Sequence, residues 1–416
     1  MNVVPLTPED RAILALECPT VAGHTCKVIV LAPPAPGTGD LRAAIEKRLD
    51  AAPALTRRLE DTEAGPAWIP DENFDTARHV IGRAETEPLD HDSLSDEVAL
   101  LFAQRLDRDR PLWRIDVLPM QDGGAALVWR IHHALADGTA AMRYARILLW
   151  EESERARTST TAHSTHHAAD DVRRRAHLAA FMRREFARSR GRSPFDGRIG
   201  TRRHVAFARA PLHDLHDAAK RIDGATLNDA VLTVVAGGLR HWVQEHHGRL
   251  GDVRVKVPVS LHKEGDDAGN RDSFFSLGLP LNEPDPATRL RAVHAATAVR
   301  KAEHDAEAVD ELTRRLSGLS PGLERFCARV ERNPRRFAVN VSNVPGPRTQ
   351  VSVLEAPVRS LHSIAEIGER HALRVAVVSL AGALNFGLLA DPAIVDDLEA
   401  MAEGMEAEAA ALVAAG

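Results

Sequence analysis

His132-His133-Ala134-Leu135-Ala136-Asp137-Gly138 sets two imidazoles, a carboxylate and a glycine within one short stretch. A neutral imidazole titrates near pH ~6.5 and can take a proton from an alcohol as that alcohol attacks an acyl carbon. Successive side chains on a strand point to opposite faces, so His132 and His133 cannot share one job. One faces a pocket, the other a core or the backbone. Asp137 is placed to hold the loop, through an arginine or through backbone N–H groups. Gly138 permits a turn closed to side chains. The plainer reading is two satisfied histidines at the end of a strand.

A second cluster shows how little the spacing means alone. His166-His167-Ala168-Ala169-Asp170-Asp171 repeats the His-to-Asp interval, but Val172 stands where the first copy has glycine. It lies in a stretch rich in Ser, Thr, Ala and His with no strand before it, and reads as solvated linker. Glu245-His246-His247, near a helix end, reads as surface. None of these groups has metal-ligand spacing with a supporting shell, so no metal is expected.

The elements around the first copy are what distinguish it. Gly123-Gly124 marks a turn, and Ala126 to Ile131 after it reads as a buried strand. From Thr139 to Trp150 the apolar positions Ala141, Tyr144, Ala145, Leu148 and Leu149 have helical spacing. The histidines therefore sit where a strand leaves a core and a helix begins. Elsewhere, Cys26 to Leu31 reads as a strand and Leu41 to Leu49 as a helix. Leu227 to Trp242 is a buried helix, and Val253 to Leu261 alternates as a strand. Further strands are expected at Arg336 to Val341, Leu373 to Leu380 and Leu384 to Leu389, with a closing helix from Ile394 to Leu412.

The chain has 416 residues, 44% apolar, which fits a folded protein of two or three domains. Aromatics are only 4%, with Tyr144 the single tyrosine, so any pocket is expected to be aliphatic. A net charge of −6 supplies no basic field for nucleic acid. Cys18, Cys26 and Cys327 form no disulfide or zinc pattern, which fits a reducing cytoplasm. The N-terminus does not read as a secretory signal, and no stretch is apolar enough to span a bilayer. Mixed strands and helices in two halves joined by a basic linker point to a two-lobed α/β protein. The divisions fall at residues 1–155, 156–202 and 203–416.

Companion motifs accompany the histidines in order. Pro111-Leu112-Trp113 lies upstream, and Asn228-Asp229 opens the buried helix. Pro258-Val259-Ser260 ends a strand, followed by Gly269-Asn270. Asn340-Val341-Ser342-Asn343-Val344-Pro345-Gly346-Pro347 and Gly387-Leu388-Leu389-Ala390-Asp391-Pro392 complete the set. Pro5-Leu6-Thr7-Pro8-Glu9-Asp10 and His24 look like an N-terminal signature, although the segment from Glu17 to His24 matches the family pattern only loosely. Together they resemble the bacterial wax ester synthase/acyl-CoA:diacylglycerol acyltransferase family, within the CoA-dependent acyltransferase superfamily. The resemblance covers nearly the whole chain.

That resemblance implies two lobes like those of chloramphenicol acetyltransferase and condensation domains, with a tunnel between them. It implies acyl transfer from acyl-CoA, a co-substrate rather than a bound cofactor, to the hydroxyl of a long-chain alcohol or diacylglycerol. His133 would be the general base, with no covalent acyl-enzyme. His132 and Asp137 would be structural. Asn228 would donate to the developing oxyanion, or serve as a helix N-cap. Two other readings keep the scaffold: acylation of a specialised metabolite, with a carrier protein as a donor option, or a non-catalytic lipid-binding relative. The expected assembly is a monomer or homodimer.

Arg173, Arg174, Arg175, Arg183, Arg184, Arg188, Arg190 and Arg192 cluster in the linker around Phe181, Met182 and Phe186. The cluster reads as a peripheral membrane or lipid-droplet anchor, as an attractor of CoA phosphates, or as a solvated linker helix.

Overall fold

Apolar, β-branched runs become the buried strands that organise this chain. A computed structural model describes residues 3–152 apart from 64, 84 and 86, residues 193–260 apart from 249 and 252, and residues 272–302 and 337–415. The His166–Asp171 cluster, the arginine-rich segment from Arg173 to Arg192, Gly269-Asn270 and Cys327 lie outside the described residues.

In chain order the strands are β1 (Val4–Pro5), β2 (His24–Leu31), β3 (Arg57–Thr62), β4 (Gly65–Pro70), β5 (Val80–Gly82), β6 (Trp113–Pro119), β7 (Ala125–His132) and β8 (Glu151–Glu152). The second half adds β9 (His204–Pro211), β10 (Val253–Ser260), β11 (Asp272–Leu279), β12 (Val339–Val344), β13 (Val351–Val353), β14 (Ala356–Ala365), β15 (Leu373–Leu380) and β16 (Ala383–Ala390). The helices are α1 (Pro8–Ala15), α2 (Thr38–Glu46), α3 (His91–Ala103), α4 (Gly138–Leu148), α5 (Leu212–Lys220), α6 (Leu227–His247), α7 (Pro286–Ala302) and α8 (Leu398–Ala414).

Among the described residues the strands form two mixed sheets and a small third one. The first sheet runs β5-β6-β7-β2-β14-β13-β8, the second β11-β10-β12-β15-β16-β9, and the small sheet β1-β4-β3. The helical and strand periodicities of the sequence reappear with shifts of a few residues at the ends. The helix expected at Leu41 to Leu49 starts earlier, at Thr38, and tightens to a 3₁₀ turn at Leu49–Ala51. The strand expected from Arg336 to Val341 occupies Val339–Val344.

The first sheet is centred on β2 and β7, both buried along their whole length. They pair antiparallel, with His24 opposite His132. On the other side of β2 lies β14, with Ser363 opposite Lys27. β13 and β14 come from the C-terminal half of the chain. A division at residues 155 and 203 therefore follows the chain but not the sheet. The crossing is close enough that Gly387 of β16 lies against β14, where a Cβ would meet the Ser363 carbonyl oxygen.

The second sheet is covered by α6, whose residues from Asp229 to Leu239 are all buried. Its start is a capping box: Thr226 Oγ1 accepts from Asp229 N–H, and Asp229 Oδ2 accepts from Thr226 N–H. The expectation that Asn228 caps this helix is corrected: Thr226 is the cap and Asn228 lies inside the first turn. Asp229 is fully buried and also accepts from Thr297 Oγ1 at 2.6 Å, tying α6 to α7.

Candidate active site

β7 carries the chain out of the core and α4 takes it up again; between them the backbone folds tightly around His132. The His132 carbonyl accepts from Leu135 N–H at 2.9 Å and Ala136 N–H at 3.0 Å. Its own N–H donates to Leu112 O at 2.9 Å, which is how Pro111-Leu112-Trp113 supports the loop. Trp113 is buried and donates from its indole to Leu55 O at 2.7 Å, a scaffold role. Asp137 is the N-cap of α4: its Oδ1 accepts from Ala140 N–H at 2.6 Å. The loop is thus held through backbone N–H groups, one of the two ways expected for Asp137.

The two histidines have separate surroundings. His132 is buried, and its Nδ1 accepts from Ala134 N–H at 3.1 Å. That bond leaves the ring proton on Nε2. Nε2 lies 2.9 Å from Glu17 Oε1, an electrostatic contact whose angle is outside good hydrogen-bond geometry. Burial raises the pKa of Glu17, but His132 and Arg108 outweigh it and hold the carboxyl below its usual value. Arg105 also binds Glu17 Oε2, at 3.2 Å. His133 is half-buried, and its backbone N–H donates to Gly23 O at 2.9 Å. Burial and the nearby Arg374 charge lower its pKa to about 4, against the opposing pull of Asp137. His133 is therefore a neutral imidazole at pH 7, the form that accepts a proton.

Gly138 needs a different explanation from the one its sequence suggests. Its φ is not in the left-handed region; instead a Cβ there would come within 3.0 Å of Val344 Cγ2. Glycine eases the close approach of β12 of the second sheet to the start of α4, where a Cβ would make Val344 give way by a few tenths of an ångström. Asn343, beside Val344, donates to Asn228 Oδ1 at 3.5 Å. The structure thus gathers His133, Asp137, Gly138 and Val344 around one lobe junction, with Asn228 linked to it through Asn343.

Several residues at this junction carry no motif. Gly23 has φ +75, and a Cβ there would meet His132 Nε2 at 2.7 Å and Glu17 Cγ at 2.9 Å. Lys27 is buried on β2 and donates to Ser363 Oγ at 2.6 Å. Burial lowers its pKa to about 8 despite the charge of Asp137. A lysine inside the apolar run Cys26 to Leu31 was the one visible signal. Glu17 and Gly23 were visible only as part of the loosely matching N-terminal segment, and Arg374 had no signal. Two cavities lie apart from His133. One, about 320 Å³, is polar and bounded by Arg58, Asp71 and Arg110. The other, about 270 Å³, lies between Ala22, Arg203 and Glu366.

Residues 6–169 and 161–231 match the wax ester synthase/diacylglycerol acyltransferase catalytic domain, and residues 268–412 match the C-terminal domain of that family. The chain belongs to this family. It is 30% identical to "Probable diacyglycerol O-acyltransferase tgs1" of Mycobacterium tuberculosis, over 92% of this chain and 90% of that one. The wax ester synthase/diacylglycerol acyltransferase of Marinobacter aquaeolei VT8 shares the fold, with a TM-score of 0.71, 20% identity and 98% of both chains covered. The first condensation domain of the calcium-dependent antibiotic synthetase does so at a TM-score of 0.64 and 18% identity, covering 99% of this chain and 95% of that domain. As a wax ester synthase/diacylglycerol acyltransferase family member, the protein is an acyltransferase of two condensation-like lobes. No helix among the described residues is long and apolar enough to cross a membrane.

The same burial that keeps His133 neutral acts on other family-fold positions in this chain. His24, His362 and His371 are also depressed mainly by burial, to about 3, 4 and 4. In the unfolded chain such groups titrate near ~6.5. Between about pH 4 and 6.5 the unfolded chain therefore binds more protons, so stability is full above that window and is lost as pH falls through it. Buried Glu366 and Glu408 are raised and act in the opposite sense over the same range, but they are two groups against four depressed histidines. Denaturation midpoints at pH 7.5 and 5.0 should differ, with the lower one at pH 5.0; equal midpoints would contradict the buried neutral histidines.

Proposed function

We propose that this family member moves an acyl group from acyl-CoA to an alcohol hydroxyl, with His133 as the general base. The observation that carries the reading is the contrast between the two histidines. His132 is spent on the loop and on Glu17, whereas the His133 ring lies half-buried and neutral at the lobe junction. The His133 imidazole takes the hydroxyl proton as the acceptor oxygen bonds to the thioester carbonyl carbon. The tetrahedral adduct then reforms its carbonyl by breaking the C–S bond, and the proton on His133 passes to the departing thiolate. No acyl-enzyme forms, because the acceptor attacks directly. Asn228 is the proposed donor to the oxyanion of the adduct. In the first turn of α6, with Thr226 as the cap, its Oδ1 accepts from Asn343 and its amide N–H groups are the donors this task would use.

The family's name puts long-chain alcohols and diacylglycerol first among acceptors to test, with wax ester or triacylglycerol as products. The measurement is thiol release from acyl-CoA as a function of acceptor and pH. Release should require the acceptor, and the acid limb of kcat/KM should fall near pH 4 rather than ~6.5, because only the neutral imidazole is a base. Acceptor-independent release, or an acid limb at pH 6.5, would count against His133 in this role.

A further inference from the structure

One short segment touches both histidines. Glu17 lies against His132 Nε2, and the Gly23 carbonyl accepts from the His133 N–H. Between them Cys18 and Val21 close a tight turn with backbone bonds of 3.2 and 3.0 Å. The segment lies between α1 and β2 and belongs to neither, so its place is fixed from outside. Two arginines fix it, from opposite halves of the chain. Arg105, just after α3, reaches Glu17, the Cys18 carbonyl and, at 2.8 Å, the Val21 carbonyl. Arg203, just before β9, reaches the Thr20 carbonyl.

Arg203 is paired with Glu366, which follows β14. Their side chains are 3% and 9% exposed, with Arg203 Nε at 3.2 Å and Nη2 at 3.1 Å from Glu366 Oε1. Two further bonds of 2.9 Å, to Gly200 O and Arg202 O, hold the guanidinium. Glu366 Oε2 accepts from the Ala22 N–H at 2.8 Å, one residue before Gly23. Burial raises the Glu366 carboxyl against the pull of Arg203. A buried ion pair adds little stability over apolar residues of similar volume. What it supplies is directional bonds to a backbone. The cavity of about 270 Å³ beside Thr20, Ala22, Arg105, Arg203 and Glu366 shows that close packing does not hold this face of the turn. The charged bonds hold it. The Glu366 carbonyl also accepts from Arg374 Nη1 at 3.0 Å, fixing the cation whose charge bears on His133.

We propose that Arg203 and Glu366 are positioning residues for acyl transfer: an ion pair from the second half of the chain that holds the Thr20–Gly23 backbone and, through the Gly23 carbonyl, sets where the His133 imidazole stands. This rests on the reading of His133 as the base. Neither residue touches a reactant, and their effect runs through His133. The base is therefore aligned only once the second half of the chain has folded against the first.

The test uses the full-length protein and thiol release from palmitoyl-CoA, with a long-chain alcohol and with a diacylglycerol as acceptors. Arg203→Met combined with Glu366→Leu removes both charges, so no buried ion is left unpaired. The adjoining cavity lets water meet the freed Ala22 N–H. kcat should fall about 10- to 100-fold, the scale of a displacement near 1 Å at a reacting group, with the KM of palmitoyl-CoA unchanged. In a His133→Ala background the same two changes should cost nothing further, because no imidazole is left to misplace. Arg203→Lys keeps the charge but not the fork that reaches Thr20 and Gly200. It should fold with part of kcat lost, and it carries the test if the double variant does not fold. Wild-type kcat in the double variant, or in Arg203→Lys where the double variant does not fold, overturns the proposal. So does a loss that persists in the His133→Ala background, which makes the pair a structural support. His133→Ala alone at the wild-type rate, or no thiol release with either acceptor, would instead sink the base assignment or the acyl-transfer reading, and this inference with it.

Discussion

His133→Ala should leave a folded protein whose acceptor-dependent thiol release is slower by roughly 10²- to 10⁴-fold, the usual loss with a general base. The fold should survive because alanine keeps the bond from the residue 133 backbone N–H to Gly23 O. The rate loss should appear in kcat, since the proton moves only as the acceptor attacks. Thermal midpoint and single-turnover thiol release, measured on one preparation, decide the matter. An unchanged rate in a folded variant would falsify the assignment. His132→Ala is the informative control. It removes the acceptor of Ala134 N–H and leaves Glu17 buried beside Arg105 and Arg108 without its histidine. That variant should fail through stability; clean folding with lost turnover would mean that the two histidines have exchanged roles.

Gly23→Ala should be nearly as damaging, by a different route. At φ +75 any residue with a Cβ costs about 1–2 kcal/mol. The new methyl would also lie 2.7 Å from His132 Nε2, and overpacking of this kind costs about 1–3 kcal/mol. The same residue's carbonyl receives the His133 N–H, so relief of the clash displaces the base. A shift near 1 Å at a reacting group can cost 10²-fold. Urea denaturation should show a lower midpoint with an unchanged slope, and kcat should fall along with it. A variant as stable and as active as wild type would remove Gly23 from the account of the site.

The strand from Ala125, the helix after Gly138 and the valine alternation from Val253 were legible because hydrophobic periodicity is a local property. So was the separation of His132 from His133, which needs only the pleat of one strand. The cap of α6 was also written locally, as Thr226 with Asp229 three residues on. Gly138 was recognised for the wrong reason: its partner, Val344, lies some two hundred residues away in the chain and only the closed structure brings it near.

By its sequence alone this chain determined an α/β chain with a histidine pair delivered from a buried strand into a helix, in the order of motifs of one acyltransferase family. Only the tertiary structure decided that β14 crosses into the first sheet and that Glu17 and Gly23 hold His132. It alone showed that Arg374 stands within electrostatic reach of His133. The physical reason is the range of the forces involved. Periodicity, caps and turns act between neighbours in the chain. A buried carboxylate, a glycine without room for a methyl, and an arginine–glutamate clamp on the Cys18–Val21 turn depend on which distant segments meet when the two sheets close.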